Sequence, residues 1–469
     1  MIRYFVIFGA SGDLTSRYLL PTLAQLRRAQ KLGAEMQVMG IAPEDWDTAF
    51  FRTYVRGRLK MHAPEVLDLW TNDLSARLEY RKADVTKPEQ VQAALASVNE
   101  AAVLYLALPP KVLLPAVRAI AAVRVPEGSR IVVEKPFGTD LHSTRAVNDT
   151  LHQGFSEQAI FRMDHFLGKQ TVQNILGLRF ANRIFEPLWN SQHIEKVEIV
   201  WDETLTVEGR AAFYDSTGAL RDMVQNHLLQ LLCLVGMEPP PTLDEADFRN
   251  YKVTLLRAVR RLAPDEIRQW TLRGRYSEGR IGSRGVPNYV EEPGVDANRE
   301  TETFAQVMLW IDNWRWAGVP FVLRSGKALG QDRREIAIYF KSVPHLAFTE
   351  ESRPRANVLR LELNPDRMAL GVNINGAGDP FDLDYVDLDV TLAPQEVSAY
   401  GRLLLDVLKG DLTLSIRDDE AEECWRIMEP ILKSWDEGQV PLLEYAAGSA
   451  GPIKNEPLPV GRVGPAKTY

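Results

Sequence analysis

The first third of the chain alternates short apolar runs with helix-patterned stretches, and that order leaves few folds open. The runs Arg3–Phe8, Met36–Ile41, Leu78–Arg81, Ala102–Leu106, Ser129–Val133 and Ala159–Met163 are strand candidates. Between them lie helical patterns such as Tyr18–Lys31 and Gln90–Ala96. Strand and helix in regular alternation predict a doubly wound parallel sheet of the Rossmann type, because parallel neighbours need a crossover element.

From about Asp164 the texture changes. A helical segment at Lys169–Ala181 precedes a strand at Val197–Trp201. A long helix over Ala219–Met237 is then stopped by Pro239 and Pro240. β-type runs return at Arg334–Phe340, Asn357–Leu363, Ala369–Ile374 and Tyr385–Val390, followed by helices near Ser398–Lys409 and Asp418–Ser434. The expectation is an α/β dinucleotide-binding domain over residues 1–163. A larger α+β domain with a mostly antiparallel sheet should cover 164–469. The Gly- and Pro-rich tail after Gly448 is expected to lie on the surface.

A chain of 469 residues is long enough for two cores. Its net charge of −8 argues against a nucleic-acid partner, which calls for a basic stripe. The opening RYFVIFGASGDL reads as a strand entering a turn and not as a signal peptide. No apolar run approaches a membrane span. The two cysteines, Cys233 and Cys424, form no metal or disulfide pattern, which fits a reducing, cytoplasmic setting.

The first βα turn carries the first functional signal. Val6-Ile7-Phe8 leads into Gly9-Ala10-Ser11-Gly12-Asp13-Leu14 and then a helix. Glycines there let the backbone approach a pyrophosphate, and the helix start offers unpaired N–H groups. The spacing departs from GxGxxG, so a tight structural turn stays open as the alternative. At the end of the second run, Pro43-Glu44-Asp45 holds two acids and no cation. Glu44 suits a ribose 2′-hydroxyl, which leans the site toward NAD over NADP; Asp45 could instead cap the helix that follows.

Five longer segments are specific: GASGDLTSRYLLPTL from Gly9, EKPFGTDLHS from Glu134, RMDHFLGKQTVQNILGLRFAN from Arg162, YDSTGALRDMVQNHLLQLL from Tyr214 and IDNWRWAGVPFVLRSGKAL from Ile311. Together, over roughly residues 3–455, the chain resembles the glucose-6-phosphate dehydrogenases. The resemblance implies oxidation of a hexose 6-phosphate at C1 with hydride passing to NAD or NADP, a role in carbohydrate metabolism and the pentose phosphate pathway, no metal, and a homodimer or homotetramer. It implies His227 as general base with Asp164 as its partner, and His165 with Lys169 as the phosphate grip. It places Lys135 against substrate and cofactor, and Glu203, Asp222 and Lys327 on the sugar. His165 and Lys169, four apart, would share one face of a helical turn. The tryptophans of Trp314-Arg315-Trp316 read as packing.

Four positions depart from the family pattern. Tyr18 stands where a lysine is usual, and Pro43 where NADP-type relatives carry arginine. Phe166 replaces the tyrosine of the phosphate motif, and Asp332 sits where a second basic contact is usual, with Arg333 adjacent as a substitute. These departures keep a second reading open, a related dehydrogenase of another sugar or sugar phosphate.

Overall fold

Each apolar run of the first third becomes a strand. A computed structural model describes residues 2–33, 35–68, 73–207, 209–348, 354–378 and 381–453. β1 (Tyr4–Phe8), β2 (Gln37–Ala42), β3 (Leu78–Lys82), β4 (Ala102–Leu106), β5 (Arg130–Glu134) and β6 (Ile160–Met163) form a sheet in the order β3-β2-β1-β4-β5-β6. All five pairings are parallel, with Tyr4 opposite both Gln37 and Ala102. β4 is buried along its whole length, as expected of a strand covered on both faces. Strand order reverses beside β1, so the crevice at the carboxyl ends of β1 and β4 is where a Rossmann-type unit binds its ligand.

This compact unit takes in Met1–Lys169 and two distant segments, Pro240–Asn250 and Gln395–Glu422. The helix Ala399–Lys409, which follows the β-type runs of the second domain in sequence, therefore packs in the first unit. A buried ionic knot accounts for the recruitment. Glu157 accepts from Arg162 Nη1 at 2.9 Å and from Arg249 Nη2 at 2.9 Å. Arg162 is fully buried, donates from Nε to Asn148, and through its backbone bonds Ser415 Oγ and the Ile416 N–H. One carboxylate thus neutralises a guanidinium from each of two segments, and Arg162 pins the third.

The second unit comprises Gln170–Pro239, Tyr251–Pro394 and the chain from Glu423. Its strands are β7 (Ile194–Asp202), β8 (Thr271–Ser277), a small hairpin of β9 (Gly279–Ile281) and β10 (Arg284–Val286), β11 (Phe304–Leu309), β12 (Phe321–Gly326), β13 (Arg333–Phe340), β14 (Val358–Leu363), β15 (Asp366–Asn375), β16 (Leu383–Thr391) and β17 (Leu442–Ala446). Apart from the hairpin they form one sheet, β16-β15-β14-β13-β7-β12-β11-β8-β17. Only β7–β12 and β8–β17 pair in parallel, so the sheet is mostly antiparallel, as the sequence implies.

Three local expectations need correction. The helix over Ala219–Met237 is not uniform: Leu220–Leu228 is π-helical and Leu229–Gly236 is α-helical. Trp316 packs, fully buried, with its Nε1 on the Gly236 carbonyl at 2.7 Å, but Trp314 is fully exposed. Asp47, not Asp45, caps the helix Thr48–His62, accepting from the Phe50 N–H at 2.7 Å, because Asp45 is drawn to Lys82 at 2.9 Å. The expected surface tail lies, from residue 454 on, outside the described residues. Among those described, no helix is long and apolar enough to cross a membrane. Both cysteines are buried and neither is in a disulfide.

The knot predicts the cost of breaking it. Glu157→Gln leaves two buried guanidiniums short of a counter-charge. The expected loss is roughly 3 kcal/mol of unfolding free energy, read as a lower urea midpoint at unchanged slope.

Candidate active site

In the first unit the glycine turn is held from several sides. The N–H groups of Gly9 and Ala10 donate to the Ile41 carbonyl at 2.8 and 3.2 Å, and the Gly12 N–H donates to the Gly9 carbonyl at 3.0 Å. Tyr54 donates its hydroxyl to the Ser11 carbonyl at 2.9 Å. Gly9 has φ +87°, and a Cβ there would collide with the Ala107 carbonyl oxygen, so the position admits only glycine. Asp13 pairs with Arg17 one turn on at 2.6 Å, while Leu14 leads into the helix that begins at Thr15. At the end of β2, Glu44 Oε2 is buried and has no hydrogen-bond partner among the described residues. A buried carboxylate oxygen beside a glycine-rich first turn fits a ribose hydroxyl donor.

Four predicted residues cluster at the carboxyl ends of β5 and β6. Lys135 follows Glu134 directly out of β5, through a cis peptide to Pro136. Asp164 is fully buried, and its Oδ1 accepts from the Phe166 N–H at 2.9 Å. That bond starts a short 3₁₀ helix, His165–Gly168, so His165 and Lys169 do not share an α-helical face. Phe166 gathers them instead. The His165 ring meets it edge-on at 5.0 Å, and Lys169 Nζ lies 5.5 Å above it. The family's tyrosine hydroxyl is absent at this position, but the ring's packing role is kept.

Glu134 is the unexpected member of this cluster. It receives the Tyr105 hydroxyl. Burial pushes its carboxyl up to about 7, against the opposing pull of that bond and of Lys135. The Tyr105 phenol is pushed well up by the same burial and by Glu134.

In the second unit Lys327 donates to Glu203 Oε2 at 2.8 Å and lies 5.4 Å above the Tyr214 ring. Glu203 Oε1 accepts from Trp201 Nε1 at 3.1 Å and faces Arg334 at 3.6 Å. Glu203 is thus held by two hydrogen-bond donors and a neighbouring guanidinium. Arg333 does not stand in for the missing basic contact, because its guanidinium is bound to Glu198 and Glu335 at 2.6 and 2.7 Å. Strand alternation sends Arg334 to the opposite face, where it also meets Asp332 at 3.3 Å. Asp222 and His227 lie on the π-helical stretch, and His227 is 1% exposed. The buried Glu302 carboxylate accepts from the Leu220 N–H at 2.9 Å and so fixes where that stretch begins. π-helical turns widen the spacing of side chains and recur at functional positions.

Residues 6–174 match the family described as glucose-6-phosphate dehydrogenase, NAD binding domain, and residues 176–460 match glucose-6-phosphate dehydrogenase, C-terminal domain. The chain belongs to the glucose-6-phosphate dehydrogenase family. It is 41% identical over 467 residues to a glucose-6-phosphate 1-dehydrogenase of Mycolicibacterium smegmatis, covering 96% of this chain and 94% of that one. A solved glucose-6-phosphate dehydrogenase in complex with its substrate glucose-6-phosphate superposes with a TM-score of 0.86 at 32% identity, covering 96% of this chain and 95% of that one. The Mycobacterium avium glucose-6-phosphate 1-dehydrogenase gives 0.84 at 35%, with the same coverage.

Several members of these clusters escape sequence reasoning. Tyr105 and Glu302 carry no motif of their own. Arg334 could have been found, since period-two alternation along β13 separates it from Arg333.

Glu134 yields a pH signature. Its ordinary value is near 4.5, and the folded value is raised to about 7. Between those values the folded state holds a proton that the unfolded state has released, so stability falls as pH rises and levels off above the folded value. Glu134→Gln keeps an acceptor for Tyr105 and has no proton to lose. Its stability relative to wild type should climb by roughly 1–3 kcal/mol across that window, measured by urea unfolding from pH 4.5 to 8. A flat difference would show that Glu134 ionises normally.

Proposed function

We propose that the protein oxidises D-glucose 6-phosphate at C1 to 6-phospho-glucono-1,5-lactone, with hydride transfer to a nicotinamide dinucleotide and NAD favoured over NADP. The observation that carries this reading is His227, a buried imidazole on a π-helical stretch in a chain that matches the family from end to end. The solved relative named for its complex with glucose-6-phosphate supports the substrate.

His227 takes the proton from the anomeric hydroxyl, and Asp164 holds the other ring nitrogen and stabilises the imidazolium. Asp164 suits that role because a buried carboxylate calls for a compensating partner. His165 and Lys169 grip the phosphate. Lys327 faces the sugar, and Asp222 accepts from its hydroxyls. Glu203, with two donors bound and a guanidinium beside it, serves both as an acceptor for the sugar and as the brace that aims Lys327. Gly9, Ala10, Ser11, Gly12, Asp13 and Leu14 cradle the pyrophosphate, Glu44 holds the ribose, and Lys135 spans substrate and nicotinamide. The dinucleotide supplies the hydride acceptor.

The unpartnered Glu44 oxygen supports the NAD lean, while Lys82, brought beside Asp45 by β3, supplies a cation that leaves NADP usable. A homodimer or homotetramer is favoured by the outer hairpin of the large sheet. There Ile374, Leu388 and Val390 are exposed on one face of paired strands. The domain division at residues 163 and 164 and a cytoplasmic location complete the reading. Two buried cysteines outside any disulfide support that location. Neither nucleic acid nor membrane is expected as a partner.

His227→Asn should lower kcat by roughly 10²–10⁴-fold with the dissociation constant for glucose 6-phosphate little changed. An unchanged kcat would remove His227 from the chemistry. Steady-state kinetics with both dinucleotides, against glucose 6-phosphate, its epimers and free glucose, should show NAD and glucose 6-phosphate preferred. Pro43→Arg should raise the NADP-to-NAD ratio of kcat/KM. A wild-type preference for NADP would overturn the cofactor reading. Faster turnover of another sugar would overturn the substrate.

A further inference from the structure

We infer that Tyr18 and Tyr400 are positioning residues for the imidazole of His165, acting as a two-ring stack that sets the plane of the phosphate grip; this rests on His165 binding the sugar's phosphate. The His165 and Tyr400 rings lie 5.5 Å apart with planes 9° from parallel. Tyr400 in turn stacks on Tyr18 at 5.2 Å and 25°. On another side Phe166 presents its ring to His165 at 71°. The three stacked rings come from three places: the π-helical turn after the glycine loop, the 3₁₀ helix after β6, and the helix Ala399–Lys409.

A histidine that binds phosphate must aim a ring N–H along a fixed line. The torsion that turns the ring is intrinsically broad, so packing has to select its angle. A near-parallel phenol on one face and an edge-on phenyl beside it leave the imidazole little freedom to rotate. Tyr400 alone could lean toward the solvent side. Tyr18, 47% exposed, is the outer plate that holds it against His165. The usual lysine at position 18 would offer a charge but no plate. In this chain that position therefore acts on the phosphate subsite through ring packing.

The test compares Tyr18→Leu, Tyr18→Phe, Tyr400→Leu, Tyr400→Phe and the double Leu variant in the full-length protein, with His165→Ala as reference. Thermal melting confirms that each folds. Tyr18→Leu should raise KM for glucose 6-phosphate roughly three- to tenfold, with kcat and KM for the dinucleotide within about twofold. Tyr18→Phe and Tyr400→Phe should behave as wild type, because the ring and not the hydroxyl does the positioning. The double Leu variant should be no worse than Tyr400→Leu, since the outer plate works through the inner one. An unchanged KM in Tyr18→Leu beside a raised KM in His165→Ala would overturn the stack and leave the phosphate reading standing. Multiplicative effects in the double variant, or Phe variants as impaired as the Leu ones, would also overturn it. An unchanged KM in His165→Ala would show that the phosphate reading itself is at fault.

Discussion

A single carboxylate, Glu157, decides how the first unit is assembled. Two buried guanidiniums from segments nearly ninety positions apart converge on it, at 2.9 Å each. Without it two buried guanidinium charges would stand uncompensated, which is costly in an interior. Arg162 extends the arrangement by bonding Ser415 and Ile416 through its backbone. The Gln395–Glu422 segment is held against β6 in this way, and with it comes the helix that carries Tyr400. The ring beside the phosphate-motif imidazole thus lies on a segment that the backbone of Arg162 helps to hold.

The second unit solves a related problem of placing charges. Glu203 and Lys327 leave different strand ends and meet at 2.8 Å, with Trp201 and Arg334 completing the set. A lysine on a flexible stem is poorly aimed unless something braces it, and a carboxylate itself held by other groups is a stiff brace. The helix that bears Asp222 and His227 is positioned at its start by the buried Glu302. Its π-helical pitch then sets the spacing between them. Propensity alone cannot foresee that pitch, because Leu220–Leu228 has the composition of an ordinary α-helix.

Much of the architecture was legible because it rests on local pattern. The six strands of the parallel sheet fall within a residue or two of the runs that announce them; central strands such as β4 are continuously apolar because both faces are covered, while the edge strand β3 alternates. Gly9 was legible for the same kind of reason: a turn that tight admits no side chain. The proposed phosphate pair, His165 and Lys169, stands out through the motif, but its geometry does not. Phe166 and a 3₁₀ turn gather the two, where helical spacing had suggested a shared α-helical face. Arg333 and Arg334 show the limit of reading adjacent residues without committing to a strand face.

What the chain by itself determined was the class of each unit and the glycine turn, which follow from periodicity and local sterics. The acids, bases and cations proposed for the chemistry came only through the resemblance of five segments to one family. Only the tertiary structure decided which partner each charge found. Asp45 went to Lys82 and left the cap to Asp47; Arg334 went to Glu203; Tyr105 went to Glu134; Tyr400 went to His165. Those pairings join residues far apart in the chain, and their energies depend on burial and distance, quantities that exist only once the chain has folded.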